Sequence, residues 1–310
     1  MPGAGCPAAA KPPPDTLPRV NLTVTVITHN ESSNIAAALQ SVSWADEIIV
    51  VDSGSTDDTV AIAEGHGARV QVRDWPGYSA QKNYAAEIAS HDWILSVDAD
   101  ERVTPQLASE IQSLLSGTPA ARGYRIPRVS HYLGRWIRST DWYPDYQLRL
   151  YDRRAGRWNG RRVHESVSLD GRPERLRGEL QHFPYRDIAD HLATIDRYTT
   201  LAAAEWHADG RRASALEALV SPRLAFFRNY ILRGGFRDGE AGLLVSVLNS
   251  YYVFLKYAKL WELNHAGVRG PGSGLRDPGS GFRESAVDRH AASVTASHDR
   301  NPDPGSRTPG

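Results

Sequence analysis

Nine residues decide the fold: Trp93-Ile94-Leu95-Ser96-Val97-Asp98-Ala99-Asp100-Glu101. The run opens with a short, largely apolar segment, as in a buried strand, and three carboxylates follow it. Asp98 and Asp100 lie two residues apart, so their side chains point the same way from a strand end. Like charges this close repel unless a cation or a proton lies between them, and carboxylate oxygens suit a divalent cation, Mg²⁺ or Mn²⁺. The competing interpretation is a helix-capping aspartate beside a solvated one.

Strand and helix patterns alternate around this stretch. Together they predict an α/β fold, an open and mostly parallel sheet with helices on both faces. Ligands of such sheets bind beyond the carboxyl ends of the strands, where polar clusters follow the apolar runs here. The predicted strands cover 22–27, 47–51, 68–72 and 93–97, and the predicted helices cover 31–43, 56–64, 78–89 and 105–115.

The pattern changes after Gly117, where shorter and mixed strands are predicted at 123–129, 147–151 and 163–169. From Asp187 onward the chain reads as helical. Proline-rich and Gly/Ser/Arg-rich ends cannot bury enough apolar surface to offset their ordering entropy, which predicts disorder. The predicted limits are an α/β domain at 20–185, divided at 118, a helical region at 186–263, and disordered tails at 1–19 and 264–310.

Composition narrows the classes of protein. The chain has 310 residues, 41% of them hydrophobic, with 36 basic and 36 acidic side chains and no net charge. A sizeable core is therefore expected, and a general nucleic-acid binder is not. The single cysteine, Cys6, excludes an intramolecular disulfide and a cysteine-rich zinc site. Because neither a signal peptide nor a clear membrane-spanning segment is visible, we expect a cytoplasmic protein.

Two further clusters suit a nucleotide. Asp52 follows the second predicted strand, where its carboxylate can accept from a base or a ribose, and Gly54 allows close backbone approach. The alternative is an ordinary strand-to-helix turn. Lys82 can meet a phosphate and Asn83 a sugar or backbone oxygen, although a lone helical lysine is more often solvated.

The order of these clusters resembles the nucleotide-sugar half of family 2 glycosyltransferases with a GT-A fold. The motifs that carry the resemblance are Thr28-His29-Asn30-Glu31, Asp52-Ser53-Gly54-Ser55-Thr56-Asp57, Gln81-Lys82-Asn83-Tyr84-Ala85 and Asp98-Ala99-Asp100-Glu101. Later motifs look like the subgroup named for lipopolysaccharide-core β-glucosyltransferases. These are Gly123-Tyr124-Arg125-Ile126-Pro127-Arg128, Trp142-Tyr143-Pro144-Asp145-Tyr146, Val163-His164-Glu165-Ser166 and Tyr230-Ile231-Leu232-Arg233-Gly234-Gly235-Phe236.

The resemblance implies a role for each matched residue. Asp52 contacts the uracil or ribose, Asp98 and Asp100 hold the divalent cation, and Asp100 is the more direct ligand. The remaining residues expected around the nucleotide sugar are Thr28, Asn30, Glu31, Gly54, Lys82, Asn83 and, again, Asp98. Gln147-Leu148-Arg149-Leu150-Tyr151 ends in tyrosine where processive relatives have tryptophan, which implies an enzyme that adds one sugar.

An inverting transfer needs a carboxylate base in the acceptor half. Asp145 and Glu165 are the candidates, and we choose Glu165. It has the longer reach, it follows His164, and the nearby Arg161 and Arg162 keep it ionised. Asp145 lies among Trp142, Tyr143 and Tyr146, where a short carboxylate would more naturally bind a sugar hydroxyl.

The implied partners are a UDP-sugar donor, with glucose as the expected sugar, and a lipid-linked saccharide acceptor such as the lipopolysaccharide inner core. The segment 241–261 is either a helix buried on the domain or one that dips into a membrane surface. A lipid-linked acceptor favours peripheral contact of 223–261 with the inner face of the cytoplasmic membrane. Arg223, Arg228 and Arg233 are five residues apart, so an α-helix would not align them in one stripe.

Two other functions remain open from the residues alone. A sugar-phosphate nucleotidyltransferase also uses carboxylates and a metal, but it should open with a Gly-rich basic loop, which Thr28-His29-Asn30-Glu31 is not. A non-catalytic sensor of nucleotide sugars would not need the four carboxylates Asp98, Asp100, Asp145 and Glu165. Transfer or donor hydrolysis by the purified protein separates a sensor from an enzyme.

Overall fold

The sheet begins with four parallel strands in the spatial order β3-β2-β1-β4. A computed structural model describes residues 19–160 and 166–265. Every residue of the central strand β1 is buried, as expected of a β-branched strand covered on both faces. The register places Thr28 opposite Asp52, and Ile27 opposite Asp98, so the polar ends of three strands meet at one edge. The strands are β1 (Leu22–Thr28), β2 (Glu47–Asp52), β3 (Arg69–Val72) and β4 (Trp93–Asp98).

Helices connect these strands, and two of them begin later than the sequence predicts. The helix predicted at 31–43 begins at Ile35, because Glu31 and Asn34 form a turn first. The helix predicted at 56–64 begins at Thr59, because the Thr56 amide donates to the Asn30 side chain instead of opening the helix. The four helices are α1 (Ile35–Ser41), α2 (Thr59–Gly65), α3 (Tyr78–Glu87) and α4 (Pro105–Leu115).

The sheet continues beyond β4 through antiparallel and mixed strands, in the order β4-β8-β6-β12-β5. Leu95 of β4 pairs with Leu150 of β8, which brings the basic side chain of Arg149 beside the end of β4. The predicted α/β sheet with flanking helices is confirmed. The strands of this half are β5 (Glu101–Val103), β6 (Gly123–Tyr132), β7 (Arg135–Ile137), β8 (Asp145–Asp152), β9 (Gly156–Trp158), β10 (Val167–Leu169), β11 (Glu174–Arg175) and β12 (Leu180–His182).

Three long helices follow the sheet. Tyr132, Ile137 and Trp142 from the acceptor half share one apolar cluster with Ile195 and Val245 of these helices, so the helices pack on that half. Among the residues that the structure describes, no helix is long and apolar enough to cross a membrane. The helices are α5 (Ile188–Ala208), α6 (Ala215–Phe227) and α7 (Gly239–His265), with a π-helical turn at Arg228–Leu232 and a 3₁₀ turn at Gly235–Asp238.

The helix predicted to begin at Pro222 begins seven residues earlier. Ser214 caps α6 by accepting from the Glu217 amide, and the Glu217 side chain accepts from the Ser214 amide in return. This reciprocal cap outweighs the helix-breaking tendency of Pro222, which lies inside α6. The π turn that ends the helix also changes the predicted spacing of the arginines. Arg233 donates its amide to the Arg228 carbonyl at 2.8 Å, and both side chains reach Asp141.

Candidate active site

The loop after β2 is built around Asp52. This carboxylate is buried and accepts from the amides of Gly54 (2.9 Å) and Ser55 (2.8 Å), and also from the Ser55 hydroxyl. Gly54 has φ +79°, a left-handed conformation that other residues adopt at a cost, although a Cβ there would meet open space. Asp52 therefore shapes the turn that precedes α2, and it does so at the edge where β1, β2 and β4 end.

The loop after β1 is hydrogen-bonded to the loop after β2. The Asn30 amide donates to the Ser55 hydroxyl at 2.8 Å, and the Asn30 side chain accepts from the Thr56 amide at 2.8 Å. The Glu31 amide donates to the Thr59 hydroxyl at 2.8 Å, and Thr28 is buried beneath the two loops. Thr28, Asn30, Glu31, Asp52 and Gly54 are thus brought together.

Two neighbouring side chains of α3, Lys82 and Asn83, have different contacts. Lys82 is buried, with its Nζ atom 3.3 Å from Asp98 Oδ1 and 4.2 Å above the Trp158 ring. Asn83 instead pairs with the Trp158 backbone, accepting from the amide (2.9 Å) and donating to the carbonyl (3.0 Å). The structure therefore separates these neighbours: Lys82 lies at the strand ends, whereas Asn83 anchors β9 to α3.

A chain of alternating charges joins side chains of α3, β4, β5, β6 and β8. Lys82 contacts Asp98, and Arg149 contacts both Asp98 and Glu101 at 2.7 Å. Arg128 then joins Glu101 at 3.1 Å to Asp145 at 2.6 Å. We call these six residues the ion chain. Its first five members have side chains at most 4% exposed, and only Asp145 reaches solvent appreciably.

The two arginines of the ion chain stay charged in spite of burial. Burial lowers the pKa of Arg149, but the carboxylates of Asp98 and Glu101 raise it by more, so the net pKa is above the usual range. The pKa of Arg128 rises for the same reason: burial opposes it, and Asp145 and Glu101 outweigh burial. Three cations and three anions leave the chain neutral, which is the condition under which buried charges are tolerated.

Asp100 lies beside a histidine that the sequence did not single out. His182 Nε2 is 3.4 Å from Asp100 Oδ2, and His182 Nδ1 is 3.2 Å from the Ser130 hydroxyl. The Phe183 amide also donates to the Asp100 carbonyl at 2.9 Å, which ties the end of β12 to this loop. His182 and Asp100 are both buried. Since 82 positions separate them along the chain, only the pairing of β12 with β5 and β6 brings them together.

The donor set at Asp100 fits a divalent cation. Within 19–160 and 166–265, no three or more His, Cys, Asp or Glu side chains are arranged to hold a metal ion by themselves. Mg²⁺ is usually held by one or two carboxylates together with substrate phosphates and water. The Asp100 carboxylate supplies an oxygen of the type that Mg²⁺ and Mn²⁺ take, and phosphate oxygens would complete the shell. The His182 imidazole beside it is a nitrogen donor, a type more usual for Zn²⁺ or Fe²⁺. The Asp98 carboxylate faces Lys82 and Arg149.

Of the two candidate bases, Asp145 lies among the described residues and Glu165 does not. Asp145 begins β8, where its carboxylate accepts from Arg128 and, at 2.7 Å, from the Gln147 side chain. Glu165 lies outside the described residues. Of the neighbouring aromatic side chains, Trp142 is buried in the core, and Tyr143 donates its hydroxyl to Glu179 at 2.8 Å.

The sequence is similar to that of known glycosyltransferases. The model of glycosyl transferase family 2 matches residues 23–167, which include the loops after β1, β2 and β4. The lipopolysaccharide core biosynthesis glycosyltransferase LpsC of Rhizobium meliloti is 29% identical over 79% of this chain and 94% of its own length. An uncharacterized glycosyltransferase of Rickettsia typhi is 31% identical over 77% of this chain and 86% of its own.

Similarity to solved structures is more limited. Glucosyl-3-phosphoglycerate synthase of Mycobacterium tuberculosis, in complex with Mn²⁺, uridine diphosphate and glucosyl-3-phosphoglycerate, is 26% identical, and the match covers 36% of this chain and 44% of that one. The TM-score is 0.31, which is too low to compare the two sites.

Proposed function

The chain belongs to glycosyl transferase family 2, and from that premise we propose that it transfers one hexose from a UDP-sugar, with glucose as the expected sugar, to a lipid-linked saccharide. The observation that carries this proposal is the meeting of the Asp52 turn, Lys82 and the Asp100–His182 pair at one sheet edge. We assign the turn to the nucleoside and the pair to the diphosphate. Ligands of parallel sheets bind at this edge.

The charges at this edge suit a diphosphate leaving group. A divalent cation bound at Asp100 and His182 would neutralise charge on the departing phosphates. Because the ion chain is neutral as it stands, it does not neutralise a diphosphate without such an ion. We therefore propose that donor binding depends on Mg²⁺ or Mn²⁺.

The transfer itself is a direct displacement. A carboxylate takes the proton of the acceptor hydroxyl, the hydroxyl oxygen bonds to the anomeric carbon, and the bond from that carbon to the diphosphate breaks with its electrons on UDP. We assign the base to Glu165, and we assign Asp145 to acceptor binding. The engagement of both Asp145 oxygens by Arg128 and Gln147 supports that division.

Sequence similarity supports the choice of acceptor. LpsC, whose printed name gives lipopolysaccharide core biosynthesis, aligns over most of both chains. We therefore propose a cell-envelope saccharide such as the lipopolysaccharide inner core, reached at the inner face of the cytoplasmic membrane.

Metal-dependent UDP release is the experiment that tests this function. Purified protein is screened with UDP-sugars, with and without Mn²⁺ and an extracted lipid-linked core saccharide. Release that needs both additions supports the proposal. Release without the saccharide would indicate hydrolysis, and UDP-sugar binding with neither release nor transfer would indicate a sensor.

Asp100→Asn tests the proposed metal role. We expect it to lower turnover by at least about 10²-fold, because the carboxylate charge that holds the cation is lost. UDP binding, measured by calorimetry, should also lose its dependence on Mn²⁺. The matched control is Asp92→Asn, which changes a half-exposed aspartate at the opposite end of β4 and should leave both properties unchanged. If the unmodified protein binds UDP equally well in Mn²⁺ and in chelator, donor binding does not depend on a metal and the proposal is wrong.

A further inference from the structure

An unusual apolar surface covers α6 and the turns after it. Eight large apolar side chains within 216–236 are exposed, and six of them expose half or more of their area. Contiguous apolar surface of this kind marks an interaction site, whereas single exposed apolar residues are ordinary. We call this surface the α6 face, and it consists of Leu216, Leu219, Val220, Leu224, Phe227, Ile231, Leu232 and Phe236.

Helix α6 buries small side chains and exposes large apolar ones, the reverse of an ordinary core-packed helix. Its buried residues are the small Ala218, Pro222 and Ala225, which lie toward α7. The Ser250 hydroxyl of α7 donates to the Pro222 carbonyl at 2.8 Å and fixes this orientation. A helix normally buries its large apolar side chains and exposes its polar ones. Here small residues are buried and leucine and phenylalanine are exposed, so α6 holds the α6 face away from the core.

The charge around the α6 face is net positive. Residues 209–240 contain six arginines and four acidic residues, whereas basic and acidic side chains are balanced at 36 each over the whole chain. Arg228 and Arg233 pair with the buried carboxylate of Asp141, and the other four arginines are exposed. Exposed arginines among exposed leucine and phenylalanine are the chemistry of a surface that meets anionic headgroups and acyl chains together. The arginines are Arg211, Arg212, Arg223, Arg228, Arg233 and Arg237.

We propose that the α6 face docks on an anionic phospholipid bilayer. A second copy of the chain is a poor occupant, because symmetric pairing would set the same exposed arginines against each other. The segments 1–18 and 266–310 are also poor occupants, because they offer few large apolar residues. Those residues are Met1, Leu17, Val268, Leu275, Phe282, Val287 and Val294.

The α6 face is tied to the acceptor half of the candidate site. Arg228 and Arg233 both contact the buried carboxylate of Asp141, and the Asn229 side chain accepts from the Asp141 amide at 2.8 Å. Asp141 lies four residues before Asp145. Docking would therefore set the distance between the bilayer and the loop that leads to Asp145. This positioning role rests on the proposed function, whereas bilayer binding itself does not.

Vesicle flotation of the full chain tests the docking. We expect the protein to float with vesicles rich in phosphatidylglycerol and to bind phosphatidylcholine vesicles at least about tenfold more weakly. Leu224→Glu with Leu232→Glu should weaken binding to the anionic vesicles by about tenfold or more, because two apolar contacts become charged. The matched control is Leu192→Glu with Leu201→Glu, which changes two exposed leucines of α5 and should bind normally.

A second pair of variants separates charge from apolar contact. Arg223→Gln with Arg237→Gln should weaken binding to anionic vesicles by about tenfold at low salt and much less at high salt. Circular dichroism confirms folding of each variant. Failure to bind anionic vesicles, or equal binding by the leucine variants of α6 and α5, would overturn the proposal. So would a dimer in sedimentation that the α6 variant abolishes. Metal-dependent UDP release with a delipidated acceptor reports on the proposed function independently.

Discussion

At the residue scale, Asp52 combines two demands on one carboxylate. It accepts from two amides and a hydroxyl within its own turn, which is the structural role that the sequence left open. A nucleoside at the same strand edge would use the remaining acceptor capacity of its oxygens. Any substitution therefore affects both the turn and the proposed nucleotide contact, and the test has to separate them.

Asp52→Ala should weaken UDP binding by about 10- to 100-fold, the loss expected when a hydrogen bond to a charged group is removed. The ratio of affinities with Mn²⁺ and with chelator should stay unchanged, because Asp52 is not at the metal. The control is Asp57→Ala, which removes a carboxylate that also accepts from turn amides, those of Ser32 and Thr59. If both variants lose UDP affinity equally, Asp52 acts only through the loop.

The roles of Glu165 and Asp145 form a second prediction at this scale. Glu165→Gln should lower kcat by about 10²–10⁴-fold with little change in UDP-sugar affinity, because a general base contributes that much. Asp145→Asn should mainly raise the acceptor KM, since Arg128 and Gln147 hold its carboxylate in place. Steady-state kinetics with varied acceptor measures both. An inactive Asp145→Asn beside an active Glu165→Gln would exchange the roles.

Local sequence was sufficient for some of these residues and insufficient for others. Apolar runs ending in Asp52 and Asp98 placed both at strand ends, because strand signals are local. The contact of Arg149 with Asp98 spans 51 residues and depends on the antiparallel pairing of β8 with β4. His182 reaches Asp100 through β12 in the same way. Such partners depend on strand pairing, which periodicity does not specify.

At the element scale, α5 is docked through a histidine in an aromatic surround. Burial lowers the pKa of His191 to about 3, and its Nδ1 atom lies 2.9 Å from the Tyr132 hydroxyl. Tyr185 stacks on the imidazole with centroids 4.0 Å apart, and Trp142 lies nearby. Burial raises the pKa of Tyr132 to about 12, so this hydroxyl stays protonated. The neutral His191 imidazole is therefore part of the interface between α5 and the acceptor half, which we call the joint.

This joint should weaken in acid. The unfolded chain binds a proton at His191 below about pH 6.5 and the folded chain does not, so stability is lost as pH falls from there toward 3. Between pH 7 and 5 the loss is about 2 kcal/mol of unfolding free energy. His191→Gln removes the titration, so the stability difference between wild type and variant should shrink by that amount. Urea unfolding at both values measures it, and a constant difference would contradict the assignment.

Element boundaries show why local patterns have limits. The start of α4 was predictable, because Thr104 caps it and Pro105 occupies its first turn. The starts of α1 and α2 were not, because Glu31 and Asn34 form a turn before α1, and Asn30 accepts from the Thr56 amide before α2. The π turn at Arg228–Leu232 also lay beyond prediction, since an α-helical wheel assumes 100° per residue throughout.

At the scale of the whole molecule, α7 is the last element that the structure describes, and its final turn contacts α5. The helix runs to His265, and the Asn264 side chain lies 3.0 Å from His207 Nδ1 of α5. The limit predicted from sequence at 263 thus falls inside a contact between helices. Residues 266–310 are poor in large apolar side chains, and their composition predicts that they add little to the core.

Truncation after His265 should leave the melting temperature within about 2 °C of that of the full chain and keep UDP release intact, because a segment with so few large apolar side chains can bury little apolar surface. Truncation after Leu263 should be less stable, because it removes Asn264. Thermal unfolding of both forms measures the difference. A large fall in melting temperature for the first truncation would show that the segment packs on the rest of the chain.

The ion chain has a consequence for how this sequence can change over time. Its six side chains balance as a set, so replacing Arg149 alone by a neutral residue leaves Asp98 with Lys82 and Glu101 with Arg128, and leaves one buried negative charge in excess. Breaking a buried ion pair by removing one partner costs about 3–5 kcal/mol, a large part of the stability of a typical domain. Tolerated substitutions should therefore come in oppositely charged pairs. Among descendants of this gene, loss of Arg149 should accompany loss of the carboxylate at 98 or 101, as a correlated substitution across three strands.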